Sequence, residues 1–171
     1  MQVSLDALVA GVRAGKLVSF PTDTVPALAA LPEQAALIYG AKQRSRDKAL
    51  ILMAADAEEI WSFVTGHDDE YEIWHTLVKK YWPGALTLVL PASASVPKAM
   101  ISIPDRDLDP QKGEFSHPIT IGIRVPDCRI AQTILAQTGP LATTSANLSG
   151  QPPLQTMAEI SAQFPDVLTL A

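Results

Sequence analysis

Leu5, Leu8, Val9 and Val12 recur at intervals of three and four within "SLDALVAGVRA". That spacing lines one stripe of a helix over residues 4–14, with Ser4 as its cap and Gly15 as its stop. The short apolar run of "LVSFPTDT" ends at Pro21 and reads as strand, and "ALAAL" at 27–31 reads as a second. Pro32 and Glu33 open a helix that carries Leu37 and Ile38 toward the core. A strand is predicted at 49–53, a helix in "DAEEIWSFV" and another in "DEYEIWHTLVKKYW", the last ended by Pro83 and Gly84. "ALTLVL" at 85–90 is the next strand. Trp61, Trp74 and Trp82 fall on the helical patterns and read as core rather than as base-stacking platforms.

The pattern then breaks. Residues 91–118 are rich in Pro, Ser and Asp with weak periodicity, and read as a long excursion. Within it, 104–117 is either a mobile flap that orders over bound substrates or an inert surface insertion. Order returns with a strand at 119–126, a helix at 127–138, a strand and polar turn at 139–153, and a short helix at 156–164. Strands and helices mix without strict alternation and no composition shift marks a boundary. The expected fold is therefore α/β (α+β): a single domain over 1–171 with a twisted, mixed sheet flanked by helices.

Composition narrows the function classes. The chain has 171 residues, 47% hydrophobic and 18% charged, which is globular rather than disordered. Its apolar runs are far shorter than the roughly 20 residues a membrane helix needs. The N-terminus lacks a basic start followed by a continuous apolar core, so the expectation is a cytoplasmic protein without membrane attachment. One cysteine, Cys128, leaves no intrachain disulfide and no cysteine-based zinc framework. The three histidines, His67, His75 and His117, lie far apart, and no metal cage is expected from them.

Charge changes the picture at one place. The formal net charge is −5, yet Lys42, Arg44, Arg46 and Lys48 crowd into "KQRSRDK". The cluster is either a solvated loop or an anion site suited to phosphates. Two other polar segments, "PTDT" at 21–24 and "TTSAN" at 143–147, also follow apolar runs. Each is either a turn or cap, or a place where hydroxyls and amides meet phosphate or carboxylate oxygens. Neither the P-loop nor the dinucleotide fingerprint is present, and Ser145 lacks the G-x-S-x-G context of a hydrolase nucleophile. Cys128, at a helix start, reads as a structural thiol. No residue is assigned as acid, base or nucleophile.

"FPTDTVPALAA", "IYGAKQRSRDKALILM", "YWPGALTLVL", "IGIRVPD" and "TTSANLSGQPP" occur in the order and approximate spacing of the Sua5/YrdC/YwlC family, and the chain resembles its short, YrdC-like form. The resemblance implies a twisted sheet with a concave, basic face. It implies synthesis of L-threonylcarbamoyladenylate from L-threonine, bicarbonate and ATP, with Mg²⁺ accompanying the nucleotide. The product would feed threonylcarbamoyl transferase proteins that modify adenosine 37 of tRNA. Carried over by residue, Lys42, Arg44, Lys48, Thr120, Ser145 and Asn147 would form the ATP site, with Arg46 a solvated neighbour. Thr24, Arg124 and Thr143 would face threonine, and 2-aminobutyrate, which lacks the hydroxyl, would be nearly inert. The alternatives are a non-catalytic module for double-stranded RNA or tRNA, and a related nucleotide-binding enzyme using another amino acid or carbamoyl donor.

The chain also departs from the family pattern. Pro26, Ala27 and Ala29 stand for a tyrosine and two glycines, Ser45 and Ala49 for two prolines, and Met53 for a histidine. These changes bear on the amino-acid pocket more than on the nucleotide site.

Overall fold

The computed structural model describes residues 1–46, 48–101 and 119–171, so the 104–117 segment lies outside the described residues. The chain runs through β1 (Gln2–Val3), α1 (Leu5–Arg13), β2 (Val18–Phe20), β3 (Ala27–Ala30), a 3₁₀ turn, α2 (Ala36–Lys42) and β4 (Ile51–Met53). Two more 3₁₀ turns precede α3 (Asp68–Tyr81) and β5 (Leu88–Pro91). The described chain then continues through β6 (Thr120–Arg124), α4 (Arg129–Thr138), β7 (Leu141–Ser145), α5 (Met157–Gln163) and β8 (Leu168–Leu170).

The eight strands form one mixed sheet in the order β1-β8-β2-β3-β7-β4-β6-β5. β1, β8 and β2 are mutually parallel, β3 and β7 alternate in direction, β4 and β6 are parallel, and β5 closes the edge antiparallel to β6. A mixed sheet flanked by helices is what the interleaved pattern predicts. The two ends of the chain are tied together within it. The Met1 ammonium donates to the Val167 carbonyl at 2.9 Å, and the amides of Thr169 and Ala171 donate to Met1 and Val3 at 3.0 and 2.9 Å.

Two cores sit on opposite faces. Leu8, Val9 and Val12 of α1 and Ala131, Ile134 and Leu135 of α4 cover Val18, Phe20, Ala29 and Leu141 on one face. On the other, Ile38 and Tyr39 of α2, Trp74 of α3 and Ile160 of α5 cover Leu28, Leu52, Ile123 and Ala142. The helical stripe of α1 is thus buried as its spacing requires, under a Ser4 cap whose hydroxyl accepts from Ala7 N–H. Trp74 is buried as expected, while Trp61 and Trp82 are half-buried against the same core.

Three expectations are corrected. The stretch 56–64 is not one helix but two 3₁₀ turns, Ala57–Glu59 and Trp61–Phe63, because buried Ile60 and Val64 anchor it and Val64 bridges to Ala92. Leu37 is 39% exposed; the buried residues of that helix are Ile38, Tyr39 and Lys42. Pro32 starts a short 3₁₀ turn, Pro32–Gln34, and α2 begins after it. Among the described residues no helix is long and apolar enough to cross a membrane.

Candidate active site

The register sets the site. Across the middle of the sheet, Ala27 pairs with Ser145, Ala29 with Thr143, Thr143 with Ile51, Ile51 with Gly122 and Met53 with Arg124. Side chains alternate along a strand, so these residues share one face. Alanine and glycine at 27 and 122 keep it low, and a cavity of about 300 Å³ opens there. Gly122 is tightly set: a Cβ would lie 3.3 Å from Ile51 Cγ1 and 3.4 Å from Thr87 Cγ2.

Arg124 is the fixed cation of this cavity. Its side chain is 8% exposed, and Nη2 meets the Asp23 carboxylate at 2.6 Å. Nη1 donates to Thr24 Oγ1 at 3.0 Å, and Nε donates to the Gly84 carbonyl at 3.1 Å. Gly84 can hold that position because it has no side chain; a Cβ would fall 2.5 Å from the Tyr81 carbonyl oxygen. Two segments far apart in sequence, 23–24 and the one at Gly84, therefore converge on one guanidinium and fix its plane. Such a fork suits a carboxylate.

Three of the cavity hydroxyls donate within the protein. Thr143 Oγ1 donates to the Ile51 carbonyl at 3.0 Å, and Thr22 Oγ1 to the Val25 carbonyl at 2.7 Å. Ser145 Oγ donates to Asn147 Oδ1 at 2.6 Å. Thr24, Thr143 and Ser145 line the cavity together with Arg124 and Arg44, so five of the residues singled out from the sequence come together.

The basic segment behaves residue by residue. α2 ends in a left-handed Gln43 at φ 50°, with the Arg44 amide bonded back to Tyr39, which turns the chain out toward the sheet. Arg44 folds over its own loop, donating from Nε and Nη2 to the Lys48 and Ala49 carbonyls at 3.3 and 3.0 Å. Lys48 and Arg46 are exposed, Arg46 lying 5.9 Å from the Tyr39 ring centroid. Lys42 is wholly buried. Its ammonium donates to the Ser145 carbonyl and, at 3.1 Å, to Asn147 Oδ1. Burial first, and the charge of Arg44 second, push its pKa down to about 8.

Asn147 spends both amide protons on the Leu148 and Gln151 carbonyls at 2.8 and 2.7 Å, and Ser149 N–H returns to the Lys42 carbonyl at 3.0 Å. Lys42 and the 145–151 turn are thus one interlocked unit beside the cavity. Thr120 stands apart: it is exposed at the start of β6, on the cavity face by alternation but outside its lining. Cys128 is a half-buried thiol 3.5 Å from the Pro21 carbonyl. Asp23 and Gly84 received no role in the site from the sequence, although both lie in quoted segments. An acidic residue inside "PTDT" was the available signal for Asp23; its partner lies 101 positions away.

A mixed sheet with a small polar cavity and a fixed guanidinium on one face defines the class: an α/β domain whose cavity has the chemistry to suit a small anionic molecule. The particular family follows from comparison. The model of the Sua5/YciO/YrdC family, described as "Telomere recombination", matches residues 11–171, and the chain belongs to that family. It is 38% identical over 145 residues to a threonylcarbamoyl-AMP synthase of Pyrococcus abyssi, covering 82% of this chain but 38% of that protein. A protein of the same name from Vibrio cholerae is 34% identical over 171 residues, covering 96% of this chain and 79% of its own length. The crystal structure of P. abyssi Sua5 complexed with L-threonine superposes with a TM-score of 0.78 at 29% identity, covering 98% of this chain and 46% of that one. The chain thus spans well under half the length of the P. abyssi protein.

Proposed function

We propose that the protein is an ATP-dependent L-threonylcarbamoyladenylate synthase, a nucleotidyltransferase acting in tRNA modification. The observation that carries the reading is the presence of two guanidiniums, Arg124 and Arg44, in the lining of one cavity. One cation suits an amino-acid carboxylate and the other a phosphate, and the reaction must hold both at once. The names of the relatives and the L-threonine in the solved Sua5 structure agree with it.

In this reading Arg124, braced by Asp23, Thr24 and Gly84, pairs with the carboxylate of threonine. The amine nitrogen bonds to the carbon of bicarbonate as water leaves with the proton lost from nitrogen, giving a carbamate. A carbamate oxygen then bonds to the α-phosphorus of ATP as the bond to the β-phosphate oxygen breaks and pyrophosphate leaves. Arg44 and Lys48 neutralise the departing charge, with Mg²⁺ arriving as part of the nucleotide substrate. Ser145 and Asn147, fixed by Lys42, shape the nucleotide side, and Thr120 extends it along β6. The chemistry asks for placement more than for covalent help, which fits a site without an assigned acid or base. The product is an activated acyl donor, so a transferase carrying it to tRNA adenosine 37 must follow.

The test is pyrophosphate release from ATP and bicarbonate, with and without L-threonine, alongside mass detection of threonylcarbamoyl-AMP. Release that requires threonine is expected. No release, together with salt-sensitive binding of double-stranded RNA or tRNA, would replace this reading with the RNA-binding one.

A further inference from the structure

We propose that the amino-acid pocket reads the carboxylate and the volume of the side chain but not its hydroxyl, with Met53 as the residue that sets this selectivity. The inference rests on the proposed function for its substrate class and on the cavity for its content.

A site rejects an analogue lacking a hydroxyl only when it offers that hydroxyl dedicated partners, which the analogue then leaves unpaired. Here the hydroxyls that share the cavity face are already engaged, and Thr144, the remaining hydroxyl of the lining, alternates to the other face of β7. The protons of Thr143, Thr22 and Ser145 go to Ile51, Val25 and Asn147 respectively. Thr24 Oγ1 accepts from Arg124 and lies 3.2 Å from Thr22 Oγ1. Arg44 has turned two of its donors onto carbonyls of its own loop. The remaining oxygen lone pairs face an amine that brings donors of its own and competes for them.

Apart from Thr144, the rest of the lining is apolar. Val25, Ala27, Ala49, Ile51 and Met53 bring carbon and sulfur to the cavity, and Met53, at 3% exposure, is the largest of them and stands beside Arg124 in the register. A carboxylate held by Arg124 therefore leaves its side chain to meet this wall. Burying a methyl there is favourable, whereas a hydroxyl finds nothing it did not already have in water. Met53 also adapts its shape, which lets the wall accept side chains of similar size.

The experiment compares L-threonine, L-valine, L-2-aminobutyrate and L-serine in two readouts, pyrophosphate release and calorimetric binding in the presence of ATP. Valine and 2-aminobutyrate are expected within about 10-fold of threonine, and serine about 10- to 100-fold weaker for want of the methyl. Met53→Gln, which places an amide in the wall, is expected to move the preference toward threonine by about 10-fold, although the wild-type comparison decides the matter alone. A wild-type preference for threonine over both hydroxyl-free analogues above about 1,000-fold would overturn the proposal. Equal binding of threonine and valine without any turnover would keep the pocket inference and remove the proposed function. Binding of none of the four would overturn the inference itself.

Discussion

Lys42 shows how much a single side chain can be asked to do. Its ammonium is buried against two oxygens, and its pKa of about 8 lies well below the ordinary 10.5. In the unfolded chain the amine stays protonated up to its ordinary value, whereas in the folded protein it sheds its proton from about pH 8. The unfolded state therefore binds more protons between those two values, and stability rises with pH across that window. Burying the charge is a cost carried in full at neutral pH and relieved above pH 8. The urea midpoint of the wild type, measured against that of Lys42→Met, is expected to climb from pH 7.5 to pH 9.5. A flat difference would show that the ammonium is not desolvated. The same burial ties Lys42 to Ser145 and Asn147, so its replacement disturbs the turn as well as the charge.

Among the elements, α5 rests on its first turn. Thr156 caps it by accepting from Glu159 N–H, while the Glu159 carboxylate receives the hydroxyl and amide of Thr156 at 2.9 and 3.0 Å. A seven-residue helix depends on such a cap, and Thr156→Ala is expected to cost about 1 kcal/mol, read as a lowered denaturation midpoint. Elements with this kind of signature were legible in the sequence. α1, α4 and the strands at β3, β6 and β7 fall where stripe, cap and turn residues predict them. β1 and β8 were not seen, because strands of two and three residues carry no periodicity and exist through pairing with each other and with β2. The 56–64 stretch has helical composition but is shaped by the contacts of Ile60 and Val64, which no local pattern encodes. At the site, Thr24, Arg44, Thr143 and Ser145 could be picked out because they sit in polar segments after apolar runs, whereas Arg124 lies within a strand run and was reached only through the family resemblance. The Asp23 and Gly84 braces, and the bond from Thr143 to the Ile51 carbonyl, depend on pairings across the chain.

For the whole molecule, β8 is the keystone. It pairs with β1 on one side and β2 on the other, and Leu168 and Leu170 pack into the core beneath α1 and α4. Deleting residues 165–171 is therefore expected to abolish cooperative unfolding rather than trim an end, measurable as loss of a sigmoidal thermal transition by circular dichroism. A retained transition would place the fold's integrity in the remaining strands. The parallel pairing of β1 with β8 has a mechanical consequence too. The chain enters at the start of one strand and leaves at the finish of the other, so the two ends depart from opposite sides of the same ladder. Tension drawn through the ends runs along the strands and loads the bonds of that ladder together. Stretched in this way, the protein yields by shear, with its bonds sharing the force, and does not open one rung at a time.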